Sequence, residues 1–125
     1  MNELARDGAT LVAVGLGGRL ELSRNEIRIV KDGFWGYLVD AFWLGYGIME
    51  KRIFLEQIAG VEIVKMLVMP NFIRFSYPGS PSLTGHYAED ALAENALIMN
   101  PLDNRKFYEL KDRIHLYIER KAVSR

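Results

Sequence analysis

Chemistry at neutral pH needs titratable or nucleophilic side chains brought together, and this chain offers few. Its two histidines, His86 and His115, are far apart in sequence. A histidine acts as acid or base only with a reacting proton and an orienting partner in reach, so both read as structural or exposed, His115 beside the buried stripe of a helix. Cysteine is absent, which removes thiolate nucleophiles, thiolate metal sites and disulfides together. Ser80 and Ser82 lie in P-G-S-P-S, a turn and not the G-x-S-x-G elbow of a nucleophilic serine. Glu89, Asp90 and Glu94 suggest a cation site, but hard cations want six or more oxygens in a tight loop, and the spacing is not that of an EF-hand. These acids read as loop surface, with Asn95 making backbone hydrogen bonds before the last strand. Gly15-x-Gly17-Gly18 lacks the third glycine of the dinucleotide fingerprint and runs into a strand-like segment, so it reads as a turn. The expectation is no catalytic residue, no metal ligand, no cofactor and no enzyme.

Charge narrows the partners. Sixteen basic and sixteen acidic residues cancel, whereas a dedicated nucleic-acid binder carries a basic footprint; no nucleic acid is expected. Arg24, Arg28, Lys31, Lys51 and Arg52 interleave with Glu21, Glu26 and Asp32 and read as a solvated face of mixed sign.

One stretch stands apart. Residues 33–49 contain both tryptophans, Trp35 and Trp43, and a single charge, Asp40. Wound as a helix, they put Trp35, Leu38, Val39, Phe42, Tyr46 and Met49 on one side and Phe34, Tyr37, Ala41, Leu44 and Ile48 on the other. A helix apolar all round must be covered on most sides. It is either tucked into its own domain, covered by another protein, or docked on a lipid surface or apolar ligand. Residues 34–49 would reach only about 24 Å as a helix, short of the roughly 30 Å hydrocarbon core of a bilayer. Aromatic residues and Met are enriched at interface cores, so Phe34, Trp35, Tyr37, Leu38, Phe42, Trp43, Tyr46 and Met49 are the expected interaction residues.

The flanking elements would position this stretch. An apolar patch at 9–16 suits a short strand or helix. Residues 19–23 and 26–31 alternate apolar and polar with a turn between them, a hairpin with one wet face. Strand character returns at 51–55, 61–65, 72–77 and 96–99, with turns at 57–60 and 78–81; residues 80–95 are turn-rich. From 102 the period changes, and Phe107, Leu110, Ile114, Tyr117 and Ile118 mark one face of a helix over 102–121, with Asn100 or Asp103 able to cap its start. Residues 1–125 form a single domain. The expected fold class is α+β: a PH-like bent antiparallel sheet or barrel of about seven strands, its open end capped by the C-terminal helix, with residues 33–49 as an insertion. A simple α+β sandwich is the alternative.

Several pieces in order resemble bacterial and phage PH-like domains of the DUF4429 type. These are Lys51-x-Ile53-x-Leu55-x-x-Ile58-x-x-Val61, then Lys65 followed by Asn71-Phe-Ile-Arg-Phe-Ser76-Tyr77-Pro-Gly79, then Asp90-Ala91-x-x-Glu94-Asn95-x-Leu97, and last Asn104-x-x-Phe107-x-x-Leu110-x-x-x-Ile114. Asn71 stands where the family has glycine, and Ala93 where it has an acid. The resemblance implies a binding or assembly module and supplies no catalytic residues. The expected partner is therefore a second copy of the chain or another protein, with a membrane surface as the alternative. A small phage or mobile-element protein that blocks a host protein is a third reading. The N-terminus lacks the order of a signal peptide, and the absence of cysteine fits a reducing interior, so a cytoplasmic, optionally membrane-associated, protein is expected.

Overall fold

The computed structural model describes residues 9–31 and 49–123. In chain order these form β1 (Ala9–Gly15), β2 (Gly18–Ser23), β3 (Glu26–Lys31), β4 (Met49–Phe54), β5 (Gly60–Val64), β6 (Phe72–Ser76), α1 (Tyr87–Ala91), β7 (Ala96–Ile98) and α2 (Arg105–Val123). The fold is α+β. Two antiparallel sheets, β1-β2-β3-β4 and β5-β6-β7, carry a C-terminal helix.

The first sheet follows from the period of two. Leu20 pairs with Ile29 and Leu22 with Ile27, and all four are buried, because alternate residues of a strand share a face. Between them lies Glu21, which stays at the outer face yet is only 7% exposed. Arg19 bonds its carboxylate, and Arg28 comes within 3.3 Å. Arg28 sits directly opposite Arg52, a repulsive placement offset by Glu50, which lies 3.0 Å from Arg52 and 3.6 Å from Arg28. Of the expected solvated face of mixed sign, Arg28, Arg52, Glu21 and Glu26 lie here, with Glu21 buried, while Lys31 and Lys51 belong to the side of Ile29 and Asp32 lies outside the described residues. The apolar patch near the N-terminus is a strand, β1, pairing with β2.

A continuous bent sheet does not form among the described residues. The ladder ends after Phe54, where Leu55 donates its N–H to the Asn25 carbonyl at 2.8 Å and residues Leu55–Gln57 wind into a 3-10 turn. That winding turns the backbone away from the sheet, so β5 starts a second one. The sheets meet through side chains and a few isolated bonds, such as Leu16 N–H to the Ile98 carbonyl at 3.1 Å. Leu20, Ile27 and Ile29 from one sheet, Ile73, Phe75 and Leu97 from the other, and Phe107, Leu110 and Ile114 from α2 make one core. Burying such side chains is worth about 1.5–3 kcal/mol each.

The expected helical stripe is the buried face of α2, with Tyr117 and Ile118 partly buried against the same core. Of the two expected caps, Asp103 accepts from the N–H of Arg105, the first helical residue, at 3.1 Å, whereas Asn100 accepts from Leu102 N–H at 2.8 Å and closes the turn ahead of the helix. The helix α1, inside the stretch read as turns, was not foreseen. It has too few residues to show a period. It packs Ala91 over Phe72, Ala96 and Ile98 in a second, smaller cluster, so β6 buries both faces where it begins.

Candidate functional site

The predicted interaction residues Phe34, Trp35, Tyr37, Leu38, Phe42, Trp43 and Tyr46 lie outside the described residues, as does the side chain of Met49. What the structure places is their root. Lys31 ends β3, Met49 begins β4, and the two are register partners.

Lys31 is not part of the wet face on which its charge suggests it would sit. It is 5% exposed because period two puts it on the same face as Ile27 and Ile29. That signal was present in the sequence and was outweighed by residue type. Its ammonium donates to the Leu92 carbonyl at 3.0 Å and to that of Ala93. These carbonyls follow the last turn of α1, where a helix leaves acceptors unpaired and a cation is favoured. Burial pulls the Lys31 ammonium down to about 8, against the opposing pull of the Glu94 carboxylate. Both bonds of the amine go to backbone carbonyls at the end of α1, the arrangement of a helix cap.

Lys51, two residues into β4, is set differently. Its Nζ is 3.3 Å from Glu94 and 5.4 Å from the centre of the Tyr77 ring. Glu94 holds this ammonium above its ordinary range, while burial raises the Tyr77 hydroxyl. Ile29, Lys31, Glu50, Lys51 and Glu94 line a cleft of about 60 Å³ between the two lysines.

The acids expected on a loop surface divide. Asp90 is buried and accepts from Thr84 N–H at 2.8 Å, Thr84 Oγ1 at 2.8 Å and Gly85 N–H at 3.0 Å. Those bonds, the Thr84 N–H foremost, hold its carboxyl below the usual range. Asn95 donates to the Phe75 carbonyl at 2.7 Å, the backbone role foreseen for it. Among the described residues no group of His, Cys, Asp and Glu comes together to hold a metal ion.

His115 Nε2 lies 3.1 Å from the Val61 carbonyl, tying α2 to β5, and His86 is exposed before the first turn of α1. The glycine run is a turn. Gly17 has a φ of 78°, and a Cβ on Gly15 would strike the Ile98 carbonyl and the Phe107 ring. A hollow of about 240 Å³ between the β2–β3 turn and α2 has Leu22, Leu55 and Ile114 in its lining with Arg24, Arg113 and Arg120 around them; Arg113 is paired with Glu109 at 2.8 Å.

Sequence reasoning passed over one feature, the connection between β5 and β6. Met66, Leu67, Val68 and Met69 are all exposed there, Leu67 and Val68 almost completely. No helix among the described residues is long and apolar enough to cross a membrane. Comparison with family models, with curated proteins and with solved structures finds no match to this chain.

Proposed function

We propose that the chain is a non-enzymatic interaction module of PH-like build that binds a protein, a second copy of itself foremost, through residues 34–49. The observation that carries the reading is the pairing of Lys31 with Met49. Two antiparallel neighbours need only a two-residue turn between them, yet here residues 32–48 are inserted between paired positions, and both tryptophans fall within them. A long connection on a packed frame is where binding function concentrates. The PH-like assignment is supported by the division into four and three antiparallel strands with a C-terminal helix packed on β1 and β5, and by the resemblance to DUF4429-type domains. Support for a binding role also comes from His115 and the buried Lys31, whose ring and amine nitrogens lie against backbone carbonyls.

The test is the mass of the full chain in solution over a wide concentration range, with tryptophan emission followed on the same samples. Self-association predicts a mass above the 14.3 kDa protomer that falls on dilution while emission moves red. Trp43→Asp and Phe42→Asp are then monomeric at every concentration. A monomer whose blue emission ignores dilution, in wild type and variants alike, overturns the reading.

A further inference from the structure

Exposed apolar side chains are ordinary when they stand singly, as Val14, Phe54, Leu83 and Leu102 do here. Four in succession at the end of a hairpin are not. Val64 and Phe72 are register partners, so the residues between them form the tip joining β5 to β6. Leu67 is 104% exposed and Val68 92%, with Met66 at 36% and Met69 at 43%.

The tip is held in this display. Met66 N–H donates to the Asn71 side-chain oxygen at 2.8 Å, closing the loop across its base. The Pro70 carbonyl accepts from the Tyr87 hydroxyl at 2.9 Å, and the Tyr87 ring stands edge-on to Phe72 with centroids 5.8 Å apart. The backbone is thus braced while the four side chains point to water.

Size and charge select the occupant. Two fully and two partly exposed side chains present far less than the ~800 Å² per partner that a stable protein interface buries. A bilayer surface has no such threshold, because each apolar side chain partitions on its own account. Lys65 is the only charged residue from 65 to 71, and the nearest preceding acid, Glu62, is paired with Arg74. An apolar tip with a cation at its base matches an anionic headgroup layer over hydrocarbon.

We propose that the β5–β6 tip, Met66, Leu67, Val68 and Met69, inserts into the surface of a phospholipid bilayer with Lys65 at headgroup level. This docking uses residues separate from 34–49 and does not depend on what that stretch binds. The helix α1 connects the two places: its first residue, Tyr87, braces the tip, and its capping residue, Leu92, accepts from Lys31 at the root of the insertion. A tip seated in lipid would hold that root close to the membrane surface.

The test is co-sedimentation of the full chain with phosphatidylcholine vesicles and with vesicles that also contain phosphatidylserine. Wild type is expected to pellet with both, more strongly with the anionic ones, and the difference should shrink in high salt. Leu67→Asp/Val68→Asp should lower the partition coefficient by at least about tenfold with an unchanged circular dichroism spectrum and melting temperature, since neither side chain has packing to lose. Wild type that stays in the supernatant, or a double variant that pellets equally, overturns the proposal. A double variant that keeps vesicle binding but loses self-association also overturns it and makes the tip a protein contact.

Discussion

The Lys31 ammonium lies 3.0 Å from the Leu92 carbonyl oxygen, so the last residue before the aromatic insertion caps a helix 61 residues further along the chain. A charge is buried to do it, and its proton affinity records the cost. With the ammonium lowered from 10.5 to about 8, the folded protein releases this proton while the unfolded chain still holds it. Unfolding between those values takes up a proton, so stability rises with pH across that window and is flat below it, where both states are charged. The full rise is about 3 kcal/mol. Denaturant unfolding at about pH 7 and about pH 10 should show the rise in wild type and its loss in Lys31→Met, the difference between the two proteins isolating this one group.

Lys51 provides the contrast. Its side chain is 38% exposed and its partner Glu94 44%, so solvent screens the pair. Lys51→Ala should cost less than about 1 kcal/mol, and added salt should erase most of that loss. Denaturant midpoints at low and high salt check this directly.

Asp90→Ala removes the acceptor of three bonds from Thr84 and Gly85. Hydrogen exchange at those two amides should accelerate roughly tenfold, while amides in β2 and β3 keep their rates. Because its carboxyl is held below the ordinary value of 3.8, this brace is complete at neutral pH. It is lost only as the pH falls through the lowered value.

Two glycines should respond unequally to alanine. At Gly15 the added methyl meets the Ile98 carbonyl and comes within 3.1 Å of the Phe107 ring, so Gly15→Ala should destabilise by about 1–3 kcal/mol. At Gly79 nothing lies within 4 Å, and only its φ of +86° is at stake, for which the cost is about 1 kcal/mol. Thermal unfolding of both variants ranks them.

The sequence by itself determined the elements whose pattern is local and repetitive. Alternation at Leu20, Leu22, Ile27 and Ile29 names a hairpin and its buried face, and the spacing of Phe107, Leu110 and Ile114 names the packed side of the last helix. Those periods arise from backbone geometry, which every residue in an element shares. Tertiary structure alone decided where partners distant in sequence meet. Nothing near Lys31 in the chain says that its amine will find carbonyls past residue 91, and nothing near Asp90 shows a short helix needing its brace. The division into two sheets also follows a 3-10 turn at Leu55–Gln57 that no alternation marks. Exposure at Leu67 and Val68 belongs to the same class. Nothing in the run of four apolar residues says that they are exposed; the register of Val64 with Phe72 places them beyond the sheet, where Leu67 and Val68 are almost fully exposed.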